Sequence, residues 1–488
     1  MVELQQLTKR ALARDASRQA VEFERRWFTW GDLRHVADRV GELLDASGAD
    51  PLAPVAFVPR NRPSAIAAML GLIAKGRSIR MLYAFQSAMA LARDVERLPT
   101  AVIVAAAEDY APVLLSVLRA QGVAAVELTE MNATAIAGRE RSRIAFYGPM
   151  PAQPQIELLT SGTTGPPKQF AISYDLIAKH MVGEPSEEAT RLPPTLFLMP
   201  LGNISGVYST LPVLLKGQRA VLLEKFTVAG WHDHAVRHRP SVSGLPPAGV
   251  QMILEADIPR EDLSSIRCIG TGAAALDPGA HRAFEQKYGI PILLSYGATE
   301  FAGPVTAMTT QLHATCGKQK FGSVGRALLG VQLRVIDPET SEVLGAGREG
   351  LLEVISPRIG PNWIRTSDIA TIDEDGFLFL HGRADGAIMR GGFKLLPETI
   401  ERALMQHPAV SVAAVVGVAD KRLGQLPVAA IQLKPGIDPP TIGELEAHVR
   451  DRIPATHVPV QWRFVMPLPT TPSMKIDRPA VRRLFESS

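Results

Sequence analysis

Short β-rich runs alternate with helical stretches from about residue 30 to residue 335, and this alternation restricts the fold more than any other feature of the chain. Pro54–Val58, Ala101–Ala106 and Ala124–Leu128 read as strands, and Ser64–Lys75 and Pro112–Gln121 as helices. Thr195–Met199, Ala220–Leu223, Ile266–Gly270 and Ile292–Ser295 continue the strand series. Strands that take turns with helices predict mostly parallel sheets covered by helices. Gly322–Leu380 differs: it is glycine-punctuated, strand-rich and poor in helices, which predicts an antiparallel or barrel-like β subdomain. From Gly386 the pattern resets. Pro397–Gln406 and Ile442–Arg452 read as helices, and Val412–Val418 and Val428–Leu433 as strands. The polar turn His381–Gly386 divides the two patterns. The expected fold is therefore α/β. A large domain over 1–384 holds two α/β subdomains and the barrel-like β subdomain, and a small mobile α+β domain spans 385–488.

A chain of 488 residues suits two to four domains. Its net charge of +3 leaves no electrostatic footprint for nucleic acid or an anionic membrane. The cysteines, Cys268 and Cys316, stand far apart, which fits a reducing cytoplasm and excludes a disulfide framework. The N-terminus lacks the apolar region of a secretory signal. The richest apolar stretch, Ala65–Ala74, is too short to cross a bilayer and reads as a buried helix.

Leu158–Lys168 reads LLTSGTTGPPK. An apolar strand runs into Thr160, Ser161, Gly162, Thr163, Thr164 and Gly165, and Lys168 follows. Glycines let the backbone bend and present N–H groups, hydroxyls add donors and the lysine adds charge, so the loop suits a polyphosphate. It is not a Walker A loop, because GxxxxGK[ST] is absent. A plain polar surface turn is the competing reading.

TSGTTGPPK resembles the phosphate loop of the adenylate-forming superfamily, which comprises acyl-CoA synthetases, stand-alone adenylation domains and firefly luciferase. The resemblance continues in order through SYGATE (Ser295–Glu300), WIRTSD (Trp363–Asp368), GRAD (Gly382–Asp385), RGGFKLLP (Arg390–Pro397) and PTTPSMKIDR (Pro469–Arg478). FTWGDL (Phe28–Leu33) and PRN (Pro59–Asn61) extend it towards the N-terminus. It implies that ATP, Mg²⁺ and coenzyme A are the cofactors. Glu300, ending a tight turn after Ile292–Ser295, would hold Mg²⁺, and Thr299 would contact the α-phosphate. Tyr296 and Gly297 would lie on one face of adenine, and Gly272, Ala273 and Ala274 on the other. Asp368 would accept hydrogen bonds from the ribose hydroxyls, and Arg383 would reach ribose or phosphate. Asp385 would be the hinge of the small domain. Gly391 and Gly392 would let the pantetheine arm pass, and Lys475 would enter the active site to bind carboxylate and phosphate oxygens. The chain departs from the family pattern at Ser367 and Met474, where relatives carry glycine, and at Gly386, where many carry a second acid.

The acyl pocket is expected around Gly202, Asn203, Tyr208, Ser243, Gly244, Thr271, Ala273 and Phe301, with few charges and no cation to pair a second carboxylate. Small residues at Gly202, Gly206 and Gly244 leave room for an aromatic, alicyclic or medium-to-long acyl group. Other constellations point elsewhere only weakly. Gly270, Gly272 and Ala275 imitate a dinucleotide fingerprint, yet no acidic residue closes the following strand. His232, His234 and His238 have poor ligand spacing and read as a solvated helix. Ser161 lacks a nucleophile elbow, and burial of Cys268 would raise its pKa.

The expected activity is ATP-dependent joining of a hydrophobic monocarboxylic acid to CoA through an acyl-AMP, in the cytoplasm. Loading of a carrier-protein thiol and a binding protein that has lost the chemistry are the alternatives. The partners are the small-molecule acid, ATP and CoA, without nucleic acid or a transmembrane segment; a homodimer and a carrier protein stay open.

Overall fold

The computed structural model describes residues 3–144, 151–160, 168–183, 188–272, 274–390, 393–420, 423–471 and 474–486. The chain forms two compact units. The first takes Met1–Ser243, Glu261–Ile266 and Ala298–Gly303, and the second takes Gly244–Arg260, Arg267–Gly297 and Pro304–Ser488. The boundary expected at 384/385 lies inside the second unit.

The first unit centres on a seven-stranded sheet. Its order is Ala133–Ala135, Ala124–Leu128, Val102–Ala106, Val55–Phe57, Ile79–Met81, Gln155–Thr160 and Lys168–Ser173. The inner pairs are parallel and the two outermost pairs antiparallel. The inner strands are buried along their lengths, as runs such as VIVAA require when helices cover both faces. Pro63–Ala74 is a helix with buried residues on every side, with Pro63 in its first turn. It crosses the helix Trp30–Ala46 so closely at Gly71 that a β-carbon there would come 2.7 Å from the Ala37 carbonyl oxygen. Thr29 and Asp32 close a reciprocal capping box at the start of Trp30–Ala46. A second sheet orders Thr195–Phe197, Ala220–Leu222, Gln19–Phe23 and Arg26–Thr29.

In the second unit, Cys268–Thr271 runs parallel to Ile292–Ala298. Gln332–Ile336, Gly350–Ile355, Ile364–Ile372 and Leu378–Arg383 make an antiparallel four-stranded sheet, in agreement with the strand-rich reading of 322–380. The last hundred residues build their own sheet on the long pair Val410–Asp420 and Gly424–Leu433. Alternate residues of Val410–Asp420 serve two cores. Ala413 and Val415 pack with Ile400, Leu404, Leu445 and Val449 of the helices Pro397–Met405 and Ile442–Arg450. Ala414 and Val416 pack with Val481 and Phe485 of Arg478–Glu486. No helix of the described residues is long and apolar enough to cross a membrane.

Candidate active site

In the first unit, the strand Gln155–Thr160 delivers the chain to the hydroxyl-rich loop, and Lys168–Ser173 leads away from it. Backbone pairing of Thr160 with Lys168 brings the loop's two ends together. Ser161, Gly162, Thr163, Thr164 and Gly165 lie outside the described residues, as do Ala273, Gly391 and Gly392. On adjacent parallel strands of the same sheet, Arg80 and Glu157 are register partners. Arg80 Nε donates to Glu157 Oε2 at 2.6 Å, and each side chain is 8% exposed. Arg80 also donates to the Pro99 carbonyl at 2.6 Å, and Gln155 donates to the second carboxylate oxygen at 3.0 Å. A buried ion pair holds only when its remaining hydrogen-bonding capacity is met. This one is, and it fixes the strand that aims the loop. The sequence reading missed the pair, whose signal was two charges inside otherwise apolar strands.

Thr299, Glu300 and Phe301 form a short 3₁₀ turn. The preceding strand runs to Ala298, so Tyr296 and Gly297 belong to the strand, and the tight turn expected after Ser295 is displaced to Thr299–Phe301. The YGA backbone continues the extended strand begun at Ile292. Glu300 is exposed at the turn, whereas Phe301 is fully buried.

The second unit gathers a polar network around Asp368. The Tyr296 hydroxyl donates to Asp368 Oδ2. Asp368 is the cross-strand partner of Arg383, whose guanidinium lies 3.9 Å from its other oxygen. Arg383 forks onto Asp385 through Nε (2.9 Å) and Nη2 (2.6 Å). That hydrogen bond raises the Arg383 pKa and lowers that of Asp385. Ser367, where relatives have glycine, accepts the Ala384 N–H at its carbonyl, 2.6 Å away. A β-carbon at Gly272 would stand 2.7 Å from Ser295 Oγ and 2.9 Å from its carbonyl oxygen, so the adjoining strand demands glycine there. Ala274 is exposed at a bend.

Lys475 is exposed in a tight loop. Thr471 N–H donates to the Lys475 carbonyl (2.7 Å), and Lys475 N–H donates to Thr471 Oγ1 (3.2 Å). Met474 has φ +59°, the left-handed region that favours glycine, which accounts for the glycine of the family motif. Three residues beyond Lys475, Arg478 donates to both oxygens of Glu401, to Glu398 and to the Val415 carbonyl. Burial works against the guanidinium's charge, but Glu401 and Glu398 raise its pKa overall. Glu398 is pushed up by burial, with Glu401 adding to it. The sequence reading also missed these two acids; their signal was an i, i+3 carboxylate pair on an amphipathic helix.

The structure gives the residues around the expected acyl pocket the following surroundings. At Gly206 a β-carbon would come 2.1 Å from the Pro200 carbonyl oxygen, so the missing side chain accommodates backbone and leaves no room for a ligand. Gly202 abuts Pro59, with 3.3 Å to its Cγ. Ser243 is buried and accepts the Trp231 indole N–H at 3.1 Å, which ties up the hydroxyl. Asn203 precedes the helix Ile204–Leu215 without a side-chain cap bond. Tyr208 packs against Gly303, which has φ +118° and would place a β-carbon 3.2 Å from the ring. Gly244 is exposed, and the buried Thr271 hydroxyl has no hydrogen-bond partner among the described residues.

The histidine helix is not solvated as expected. His234 is 1% exposed and bonds the Pro194 carbonyl, His232 bonds Asp262 at 2.8 Å, and His238 lies 3.1 Å from buried Glu22. Among the described residues no group of His, Cys, Asp and Glu is arranged to hold a metal ion by itself. Burial raises the Cys268 pKa, which removes it as a nucleophile at neutral pH.

The chain is similar to known proteins over most of its length. Residues 8–361 match the AMP-binding enzyme family, and residues 399–475 match the AMP-binding enzyme C-terminal domain. The chain belongs to this adenylate-forming family, and its enzyme class is that of the AMP-forming acid–CoA ligases. A sulfoacetate–CoA ligase of Cupriavidus necator is 30% identical over 68% of this chain and 67% of its own. An indoleacetate–CoA ligase of Aromatoleum aromaticum is 28% identical over 99% of this chain and 98% of its own. A 4-coumarate–CoA ligase-like protein of rice is matched over only 52% of its length. Among solved structures, the amide bond synthetase McbA of Marinactinospora thermotolerans is 27% identical, with a TM-score of 0.78 and 99% of each chain covered.

Proposed function

We propose that this protein activates a hydrophobic monocarboxylic acid with ATP as acyl-AMP, releasing pyrophosphate, and transfers the acyl group to CoA with release of AMP. The observation that carries the reading is the network in which Tyr296, Asp368 and Arg383, far apart in the chain, meet through a hydrogen bond between two sheets and a cross-strand pair within one of them. Asp368 offers a carboxylate oxygen to the ribose hydroxyls, and Tyr296 holds that carboxylate in place while its ring lies against adenine. Gly272 and Ala274 border the base, with Gly297 beside Tyr296. The segment Thr160–Lys168 and Thr299 bind the phosphates through hydroxyl, backbone and ammonium groups. Lys475 contributes an ammonium to the carboxylate and phosphate oxygens during adenylation. Asp385 is the hinge between the domains 1–384 and 385–488, and Gly391 and Gly392 admit the pantetheine thiol.

Glu300 presents one exposed carboxylate and no ready-made cage, which suits Mg²⁺, a cation commonly held by one or two carboxylates plus substrate phosphates. When bound, the ion neutralises phosphate charge. Tyr208 and Phe301 supply apolar wall for the acyl group, and the Thr271 hydroxyl is available to a polar atom of the acid.

The test is a panel of aromatic, alicyclic and medium-to-long-chain acids with ATP, Mg²⁺ and CoA, read by pyrophosphate release and by mass spectrometry of products. Thioester is expected with at least one acid. Lys475→Ala should lower pyrophosphate release by on the order of a hundredfold or more while sparing thioester formation from supplied acyl-adenylate. Failure of the wild type to release pyrophosphate with any acid would refute the reading. The full-length similarity to an amide bond synthetase motivates a second acceptor. An amine added to the same assay would give amide in place of thioester, and a carrier protein would give acylated carrier.

A further inference from the structure

A cleft of about 250 Å³ in the first unit is lined by Arg14, Arg18, Arg219, Gln19, Trp30 and Gly217. It lies by the sheet of Thr195–Phe197, Ala220–Leu222, Gln19–Phe23 and Arg26–Thr29, on different strands from those that carry Thr160 and Lys168. Three guanidiniums facing one small cleft repel one another unless an anion balances them. The carboxylate next to them in sequence, Asp15, accepts from the Ser17 N–H and hydroxyl, 2.9 Å each. Arg14 and Arg219 are part-buried, and Arg18 is exposed. Arg14 is the one whose guanidinium has an unmet buried donor. Its Nε is buried with no hydrogen-bond partner among the described residues, and one Nη2 contact reaches the Leu215 carbonyl at 3.3 Å. Burial, then the nearby Arg18, lowers its pKa.

The surroundings hold the arginines in place. The Arg14 guanidinium carbon lies 5.7 Å from the centre of the Trp30 ring, and that of Arg219 lies 5.6 Å from the Trp27 ring. Arg219 also donates to the Gln19 amide oxygen at 3.4 Å. Gly217 has φ +82°, and a β-carbon there would come 2.4 Å from the Arg14 guanidinium carbon, so the bare backbone is what lets Arg14 reach the cleft. Trp30 N–H donates to the Arg18 carbonyl and Gly31 N–H to the Ala16 carbonyl, which pins the 13–18 loop to the start of the Trp30–Ala46 helix.

We propose that this cleft is a binding site for a phosphate-type oxyanion, held by the forks of Arg14, Arg18 and Arg219. Guanidinium pairs match phosphate oxygens bidentately, and three positive charges exceed what a monocarboxylate can balance. The site is separate from the nucleotide reading above and does not depend on it.

The probe is inorganic phosphate, with pyrophosphate as its larger homologue. Either is titrated into the full-length protein by calorimetry and thermal shift, with chloride adjusted to constant ionic strength and AMP present to occupy the nucleotide site. Saturable binding is expected in the wild type. Arg18→Gln, on an exposed side chain that leaves the core untouched, should weaken it roughly tenfold, the scale of one charge-assisted hydrogen bond. Arg219→Gln should do the same. Gly217→Ala should weaken binding by displacing Arg14, while Arg93→Gln on a distant exposed helix should leave it unchanged. Equal phosphate affinity in Arg18→Gln, Arg219→Gln and wild type, or no difference between phosphate and chloride, overturns the proposal.

Discussion

Two ionic networks serve the two units in opposite ways. Arg80 and Glu157 sit in the seven-stranded sheet, each 8% exposed, with carbonyl and amide partners that complete their hydrogen bonding. Arg383 and Asp385 form a similar fork, but their side chains are 51% and 33% exposed. The chemistry is the same and the surroundings differ. Opening the buried pair leaves a charge stranded away from water, so it stays closed for the life of the fold. Opening the exposed pair exchanges one set of partners for water or a phosphate oxygen at little cost. The first network therefore suits a fixed platform, and the second suits residues that are proposed to change partners during a reaction cycle.

The largest effect should come from breaking the closed network. Arg80→Met leaves Glu157 buried and uncompensated, and should cost about 3–5 kcal/mol in urea denaturation. Joint replacement of Arg80 and Glu157 by apolar residues of similar volume should recover most of that loss. If Arg80→Met proves as mild as a surface change, the contrast fails.

A second expectation concerns the buried histidine of the first unit. Burial lowers the His234 pKa from the usual 6.5 to about 4, and its Nδ1 has no partner among the described residues to receive a second proton. The folded state thus prefers the neutral ring, while the unfolded chain takes up the proton first as pH falls. The stability this gives is full above pH 6.5 and is lost between pH 6.5 and 4, by roughly 3 kcal/mol. Melting temperature against pH should show the loss in the wild type, and His234→Gln should flatten that part of the curve.

For the open network, Asp385→Asn should change stability by less than about 1 kcal/mol. It should instead alter the ratio of adenylation rate to thioester-forming rate by several-fold, each measured in single turnover. Equal change in both rates would remove the hinge role.

The smallest effect is expected at Met474. A non-glycine residue at φ +59° costs roughly 1–2 kcal/mol, and glycine there would add about 0.5–1 kcal/mol of unfolded-state entropy. The two nearly cancel in stability. Met474→Gly should leave the melting temperature within a few degrees of wild type and raise pyrophosphate release a few-fold by easing the Lys475 loop.

Much of the fold was legible because its signals are local. Pro112–Gln121 and Ala124–Leu128 start and stop where proline, glycine and apolar runs place them. The alternation of 413–416 between two cores follows from the strand period of two. Motif order carried the reading to Tyr296, Asp368 and Arg383, which the fold brings together from distant parts of the chain. Misreadings arose where the folded chain brings a group beside a residue that its sequence pattern does not show. HDHAVRH looks solvated until Pro194, Asp262 and Glu22 are brought beside it. Gly206 looks like pocket space until the Pro200 carbonyl occupies it. The strand through Tyr296 looks like a turn because YGAT carries turn residues, yet the backbone stays extended to Ala298.

By itself, then, the amino-acid order determined the element series and the family, since periodicity, turn preference and motif order are written along the chain. Which of those side chains are locked and which are exchangeable was decided only in three dimensions. That outcome depends on how much water and how many distant carbonyls surround each charge, and crossovers between strands, not neighbouring residues, set both.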